Sequence, residues 1–197
     1  MATDSPMQLG MVGLGRMGAN IVRRIMRDGH KAVVYDVSAD AVSALEADGA
    51  DGSTDLATFV QKMERPRNVW IMVPAGKITE SVITQLADLL EPGDAIIDGG
   101  NSYYHDDIRH AANLKDKGIH FVDCGTSGGV WGLERGYCLM IGGDADAVRQ
   151  VEPLFAALAP GIALHPTVTR PLPLADHAPA TPLSASRLAP RLSRRVF

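Results

Sequence analysis

The feature that most restricts the fold of this chain is a regular alternation of short apolar runs with amphipathic stretches. Short apolar runs bounded by turn residues are typical of buried strands, and apolar residues three or four positions apart are typical of helices. The predicted strands cover residues 8–14, 32–35, 69–73, 95–98, 120–124 and 137–141. The predicted helices cover residues 17–28, 39–47, 56–63, 79–90, 106–117 and 145–158. This order predicts an α/β fold with a doubly wound, mostly parallel sheet.

The composition changes once along the chain, near Pro166. Residues 1–165 carry a net charge of −8, whereas residues 166–197 carry +4 and contain six prolines but no glycine or lysine. The apolar residues of this last segment follow neither the strand nor the helix period, which favours disorder. We therefore predict a domain over residues 1–165 and an aperiodic tail over residues 166–197. A natural proline-rich linker and a changed reading frame near His165 both remain open as its origin.

The bulk properties limit the possible partners. A net charge of −4 provides no basic field for nucleic acid, and no apolar run reaches the length of a membrane span. The residues before Met7 lack the basic and apolar blocks of a signal peptide. We therefore expect a cytoplasmic protein without nucleic-acid, membrane or metal partners. Cys124 and Cys138 lie in apolar stretches, which predicts buried free thiols.

A glycine-rich turn joins the first predicted strand to the first predicted helix. It reads Gly13-Leu14-Gly15-Arg16-Met17-Gly18, a G-x-G-x-x-G pattern. In this context the first glycine permits a tight turn, the second lets a pyrophosphate approach the backbone, and the third lets helix and strand pack closely. The N–H groups at the start of the helix would bind the phosphates. The turn thus predicts a dinucleotide site, with a purely structural turn as the alternative.

The residue at the end of the second predicted strand bears on the choice of cofactor. Asp36 can accept hydrogen bonds from the hydroxyls of the adenosine ribose, and its charge would repel a 2′-phosphate. The next residues, Val37 and Ser38, supply no cation. We therefore expect NAD rather than NADP. The alternative is that Asp36 only caps the following helix, a role for which Ser38 is placed as well or better.

Three more predicted strands end in small or polar residues. These segments are residues 73–76 (VPAG), 98–101 (DGGN) and 126–132 (TSGGVWG). In an open α/β sheet, ligands bind outside the carboxyl ends of the strands, where the glycine turn also lies. Each segment alone could be an ordinary turn, but together at one edge they favour a binding site. Asn101 and Ser127 would supply neutral hydrogen-bonding groups there.

The strings GLGRMG, DGGN and GTSGGVWGLERGYCLMIGG resemble the short, NAD-preferring form of 6-phosphogluconate dehydrogenase (decarboxylating). The resemblance covers about residues 7–163. Related β-hydroxyacid dehydrogenases, such as 3-hydroxyisobutyrate dehydrogenase, tend to have Asp-x-Ser-Thr in place of DGGN. The resemblance implies a Rossmann-type domain and oxidation of 6-phosphogluconate to ribulose 5-phosphate and CO₂ with NAD(P), a reaction of the pentose phosphate pathway.

The resemblance also implies roles for individual residues. The cofactor would contact Gly13, Leu14, Gly15, Arg16, Met17, Gly18, Asp36, Val37, Ser38, Val73, Pro74, Ala75 and Asn101. The substrate would contact Asn101, Ser127, Gly128 and Gly129. NADP-using members carry an Asn-Arg-Thr-like stretch where this chain has Asp36-Val37-Ser38, so the resemblance too favours NAD.

The resemblance implies a catalytic lysine and glutamate beyond the nucleotide domain, and nothing in residues 166–197 matches their motif. We expect a truncated enzyme without catalytic residues, lacking the helical domain through which the family forms homo-oligomers. Histidines do not fill the gap, since His105 and His110 are expected on a polar helix face and His120 begins a strand. The alternatives are a non-catalytic NAD-binding module and a fragment of a 3-hydroxyisobutyrate dehydrogenase-like enzyme.

Overall fold

The computed structural model describes residues 6–160 and 193–196. Strands and helices alternate through this part of the chain, as the sequence pattern predicts. The strands are β1 (Gln8–Val12), β2 (Lys31–Tyr35), β3 (Asp51–Ser53), β4 (Asn68–Ile71), β5 (Ala95–Asp98), β6 (His120–Ser127), β7 (Cys138–Gly143) and β8 (Ser193–Val196). The helices are α1 (Arg16–Arg27), α2 (Ala39–Ala47), α3 (Leu56–Gln61), α4 (Lys77–Leu89), α5 (Tyr104–Lys115), α6 (Gly132–Arg135) and α7 (Ala145–Leu158).

The strands form one sheet in the order β3-β2-β1-β4-β5-β6-β7-β8. Neighbours from β3 to β6 are parallel, and β7 and β8 pair antiparallel with the strand before them in that order. The chain moves outward from β1 to β3 and then returns to place β4 on the other side of β1. The strand order therefore reverses between β1 and β4, which is where an open α/β sheet forms its ligand crevice.

Each face of the sheet is covered by helices. One apolar cluster includes buried residues of α1, α2 and α7, and the other includes buried residues of α3, α4 and α5. Strand β1 contributes to both, with Leu9 and Met11 in the first cluster and Val12 in the second. Burial on both faces explains why the central strands are almost entirely apolar. The predicted doubly wound Rossmann-type fold is confirmed.

The side chain of Arg24 in α1 fastens the end of the domain. Its Nε donates to the carbonyl oxygens of Ala157 and Leu158, both at 3.1 Å, and Nη2 donates to that of Ala159 at 3.0 Å. Nη1 donates to the carbonyl oxygen of Leu133 in α6 at 3.2 Å. The last carbonyls of a helix lack partners within the helix, so this guanidinium caps α7 from a neighbouring element. It thereby joins α1, α6 and α7 into one unit.

Some elements differ from the sequence prediction. Strand β3 was not predicted, because Asp51-Gly52-Ser53 has no apolar residue, and β6 extends beyond its predicted end at residue 124. A 3-10 turn over Gly129–Trp131 and the short helix α6 were also not predicted. The predicted boundary at residue 165 and the tail over residues 166–192 lie outside the described residues. Within the tail, Ser193–Val196 form strand β8.

Candidate functional site

The glycine turn after β1 is shaped by two close approaches. Gly13 has a φ of +95°, and a β-carbon there would lie 2.4 Å from the carbonyl oxygen of Met72. A β-carbon on Gly18 would lie 2.0 Å from the carbonyl oxygen of Gly13. A β-carbon on Gly15, by contrast, would meet no atom within 4 Å. The fold therefore requires glycine at the first and third positions, whereas the second glycine leaves open space above the turn.

Helix α1 begins beside this open space. Its N-cap residue, Gly15, forms no side-chain cap, and its first turn contains no acidic residue. The first backbone N–H groups of a helix have no partners within the helix, and the helix dipole places partial positive charge there. Arg16 is exposed and has no hydrogen-bonding or ionic partner among the described residues. The start of α1 can therefore bind an anion.

Asp36, at the end of β2, is hydrogen-bonded to the glycine turn. Its Oδ2 accepts from the backbone N–H of Leu14 at 2.7 Å, and its Oδ1 accepts from that of Ser38 at 2.9 Å. A carboxylate has about four acceptor positions, so about two remain available to a ligand. Ser38 is the N-cap of α2, where its Oγ accepts from the backbone N–H of Ala41 at 3.4 Å. Asp36 is thus free of the capping role, and the adjacent Val37 is 87% exposed.

The loop after β4 borders the turn on its other side. The backbone N–H of Met72 donates to the carbonyl oxygen of Val12 at 2.8 Å, which continues the pairing of β4 with β1. Pro74 and Ala75 are exposed, and the carbonyl oxygen of Pro74 accepts from Thr79 Oγ1 at 3.1 Å. That bond closes the loop onto α4. Val73 packs against Gly13, where a β-carbon would approach Val73 Cγ1 to 2.8 Å.

The DGGN segment follows β5 as a tightly bonded turn. Asp98 is 2% exposed, with Oδ1 accepting from the backbone N–H of Gly100 at 2.9 Å and Oδ2 from Ser102 Oγ at 2.7 Å. A β-carbon on Gly99 would lie 2.0 Å from the indole nitrogen of Trp70, so only glycine fits there. Asn101 is exposed. Sequence reasoning did not single out Ser102, whose only signal is its position four residues after an aspartate.

The predicted substrate segment lies at the end of β6. Ser127 is the last residue of that strand and is exposed. Gly128 faces the ring of Tyr137, which a β-carbon would approach to 2.6 Å, and Gly129 has a φ of +51°. The turn that follows carries Trp131, which is 61% exposed. Glycine is therefore required at both positions, once by a close approach and once by the backbone conformation.

Backbone hydrogen bonds and close approaches connect four of these five segments directly. The backbone N–H of Gly13 donates to the carbonyl oxygen of Tyr35 at 2.9 Å, and that of Gly99 donates to Ile71 at 3.0 Å. The turn after β1 therefore touches the ends of β2 and β4, and the end of β4 touches DGGN. The fifth segment is one strand further, since β6 pairs with β5 and Ser127 extends beyond that pairing. All five lie at the carboxyl edge of the parallel strands.

A separate cleft lies between α4 and α5 and contains none of the predicted site residues. Its lining includes Glu80, Ile83, His110, Leu114 and Lys117. Hydrogen bonds from Arg109, and then from His110, hold the pKa of Glu80 at about 2. The charges of this cleft already pair with one another, so the open edge of the sheet is the better candidate site. The expectation that His110 lies on a polar face is wrong, because His110 is 4% exposed and packs on Phe121.

The two cysteines of the chain differ in their exposure. Cys124 is buried, and burial raises the pKa of its thiol to about 12. Cys138 is exposed, so the expectation of two buried thiols is wrong for this residue, because exposed and buried side chains alternate at the start of β7 and Cys138 is one of the exposed ones. No cluster of three or more histidine, cysteine or carboxylate side chains within residues 6–160 could hold a metal ion. In the same part of the chain, no helix combines the length and hydropathy needed to cross a membrane.

Comparison with known proteins decides the family. Residues 8–167 match the family described as the NAD binding domain of 6-phosphogluconate dehydrogenase. The chain belongs to this 6-phosphogluconate dehydrogenase NAD-binding family. The family resemblance expected from GLGRMG and DGGN is therefore confirmed, and membership makes the chain a dinucleotide-binding domain of an oxidoreductase family.

The chain is also similar to individual proteins of known sequence or structure. The NAD(+)-dependent decarboxylating 6-phosphogluconate dehydrogenase of Haloferax volcanii is 39% identical over 155 residues, which are 79% of this chain and 51% of that protein. The chain thus spans about half the length of this relative. A solved 6-phosphogluconate dehydrogenase of Plasmodium falciparum, described with NADP+ and 6-phosphogluconate, has a TM-score of 0.75 at 26% identity and covers 80% of this chain and 35% of its own. A 3-hydroxyisobutyrate dehydrogenase of Salmonella typhimurium has a TM-score of 0.71 at 26% identity. The match covers 78% of this chain and 54% of that protein.

Proposed function

We propose that this chain is the cofactor-binding part of a decarboxylating 6-phosphogluconate dehydrogenase that uses NAD. The observation that carries the proposal is the position of Asp36, whose carboxylate reaches the glycine turn through Leu14 and keeps acceptor positions for a ribose. The start of α1 would bind the pyrophosphate, while Val37, Ser38 and the loop over residues 73–75 would line the rest of the cofactor. NAD bound there would accept the hydride.

Preference for NAD over NADP follows from charge. A 2′-phosphate carries negative charge and would lie beside the Asp36 carboxylate, in a region where Val37 and Ser38 provide no cation. The cation within the turn, Arg16, is the first residue of α1 and would contact the pyrophosphate instead. Like charges in contact disfavour binding by several kcal/mol when they are partly shielded from water. We therefore infer that NAD binds more tightly than NADP.

The substrate would be bound beyond the nicotinamide end of the cofactor. Asn101 would contact both cofactor and 6-phosphogluconate, and Ser127, Gly128 and Gly129 would contact the substrate alone. The implied reaction oxidises the substrate at C3, after which the β-keto acid loses CO₂ and the enediol is reprotonated to give ribulose 5-phosphate. The described residues would orient both ligands. The base and the acid would come from the lysine and glutamate implied by the family resemblance.

Two other functions compete with this proposal. A module that binds NAD without turnover would use the same edge and the same Asp36. A 3-hydroxyisobutyrate dehydrogenase-like fragment is favoured by the similar fold of the Salmonella typhimurium enzyme. The DGGN segment, rather than Asp-x-Ser-Thr, supports the phosphogluconate function over the latter. Binding assays in the presence of NAD separate the three functions. The proposed function predicts binding of 6-phosphogluconate, the 3-hydroxyisobutyrate dehydrogenase-like fragment predicts binding of 3-hydroxyisobutyrate, and the module predicts binding of neither.

The cofactor proposal is tested by isothermal titration of the full chain with NAD and with NADP. We expect NAD to bind at least about tenfold more tightly, which corresponds to ~1.4 kcal/mol. Asp36→Asn keeps the shape of the side chain but removes its charge. It should therefore weaken the binding of NAD and reduce the difference in affinity between NAD and NADP. Asp40→Asn, in the exposed first turn of α2, is the matched control and should change neither affinity. Equal or tighter binding of NADP by the unmodified chain would contradict the role of Asp36.

A further inference from the structure

The carboxylate of Asp98 holds both neighbours of Asn101. Its two oxygens accept from the backbone N–H of Gly100 at 2.9 Å and from the hydroxyl of Ser102 at 2.7 Å. Gly100 directly precedes Asn101 and Ser102 directly follows it. Asp98 is 2% exposed, so it supports the turn from the protein interior and is not placed to contact a ligand itself. Asn101, in contrast, is exposed at the sheet edge.

The start of the same turn is fixed by the backbone and by packing. The N–H of Gly99 donates to the carbonyl oxygen of Ile71 at 3.0 Å, which ties the turn to β4. Gly99 also lies so close to the indole of Trp70 that no side chain fits between them. Beyond Gly99, the hydrogen bonds of the described residues that hold the turn are the two to Asp98. Without them, residues 100–102 would have only their own backbone preferences to set the direction of Asn101.

We propose that Asp98 is a positioning residue that orients Asn101 toward the ligands, with Ser102 as its second anchor. The inference rests on the proposed function, in which Asn101 contacts both NAD and 6-phosphogluconate. A binding group must be held to within a fraction of an ångström of its productive geometry, and support by a hydrogen-bonded shell achieves this. An aspartate suits the role because each of its two carboxylate oxygens accepts one of the two anchoring hydrogen bonds.

The experiment is a double-mutant cycle on the full chain with Ser102→Ala and Asn101→Ala. Affinities for NAD alone, and for 6-phosphogluconate at saturating NAD, are measured by isothermal titration. Loss of the anchoring hydrogen bond should weaken binding about three- to tenfold, the effect expected of one hydrogen bond of ordinary net strength. In the Asn101→Ala background the same change should have less than about a twofold effect, because coupled residues are not additive.

Further variants separate positioning from general destabilisation. Ser102→Thr retains the hydroxyl and should restore most of the affinity. Asp98→Asn can keep both contacts, because its oxygen accepts from the N–H of Gly100 and its amide donates to the hydroxyl oxygen of Ser102, so it should lose less affinity than Ser102→Ala. Ser81→Ala, an exposed serine of α4 whose hydroxyl contacts only Gln85 in the described part of the chain, is the control and should leave affinity unchanged. If Asp98→Asn does not fold, the Ser102 cycle decides alone.

The outcomes for the two proposals are distinct. If the losses of Ser102→Ala and Asn101→Ala multiply, or if Asn101→Ala changes neither affinity, the positioning role is overturned. If the unmodified chain binds NAD but not 6-phosphogluconate, the proposed function fails, and the cycle measured on NAD affinity still decides the positioning role. If the chain binds neither ligand, both proposals are overturned.

Discussion

Asp107 is a buried carboxyl group whose burial should reduce the stability of the fold at neutral pH. It lies in the first turn of α5, is 7% exposed, and its Oδ1 has no hydrogen-bonding partner among the described residues. Burial first, and then the nearby charges of Asp98, Asp123 and Asp106, raise the pKa of this group from 3.8 to about 7. Replacing Asp107 with asparagine keeps its shape but removes the charge.

The sign and the size of the effect follow from proton linkage. The folded chain keeps this proton up to about pH 7, whereas the unfolded chain releases it near 3.8, so the folded state binds more protons in between. The free energy of unfolding therefore falls as pH rises through that window. A shift of about three pKa units at ~1.4 kcal/mol per unit gives an upper bound of ~4 kcal/mol. Asp107→Asn should recover ~2–4 kcal/mol at pH 8 and little at pH 4.

Urea denaturation followed by circular dichroism, at pH values from 4 to 8, measures this difference. The matched control is Asp116→Asn, an exposed residue at the end of the same helix, which should change the free energy of unfolding by less than about 0.5 kcal/mol at any pH. A variant Asp107→Asn that is no more stable than the unmodified chain at pH 8, or that keeps the same pH dependence, would refute the reasoning.

Two further predictions concern the glycine turn and turnover. Gly18→Ala should destabilise the fold by ~1–3 kcal/mol, because its β-carbon would meet the carbonyl oxygen of Gly13 at 2.0 Å. Gly15→Ala should lower the free energy of unfolding by under about 1 kcal/mol, because its β-carbon enters only the open space. The same variant should weaken NAD binding at least about tenfold, because that space would hold the pyrophosphate. Equal effects of the two variants on the affinity for NAD would argue against a pyrophosphate there. The 197-residue chain should release CO₂ from 6-phosphogluconate with NAD at trace rates at most, because we expect it to lack the lysine and glutamate that the family resemblance implies, and a general base or acid contributes about 10²–10⁴-fold each. Robust NAD-dependent release of CO₂ would show that other residues of the chain supply these groups.

The layout of the fold could be predicted because its strands and helices carry strong apolar periodicity. The bounds of β5, α2 and α7 agree with the prediction to the residue. Strand β3 could not be found, since Asp51-Gly52-Ser53 has the composition of a turn and is a strand only because β2 offers a pairing edge. Tertiary pairing of this kind overrides local preference.

The candidate site shows the same division between local and tertiary information. The glycine turn and DGGN are local patterns, so their places at the sheet edge could be predicted. The anchoring of Asp98 to Ser102, by contrast, depends on a turn geometry that no spacing rule specifies. His110 appeared polar in sequence because its helix neighbours are charged, yet it faces Phe121 and the sheet. Apolar periodicity identifies an amphipathic helix but does not decide whether a single polar residue on it is buried.

The most direct test of the account is to locate bound NAD on the full chain. Titration of ¹⁵N-labelled chain with NAD, followed by two-dimensional NMR, reports each backbone N–H separately. We predict that the largest shifts occur at Leu14 to Met17, at Ser38 and at Asn101, with none at Asn113 or Lys117 in the cleft between α4 and α5. Shifts concentrated in that cleft, or an absence of shifts at saturating NAD, would contradict the claim that the carboxyl edge of this sheet binds the cofactor.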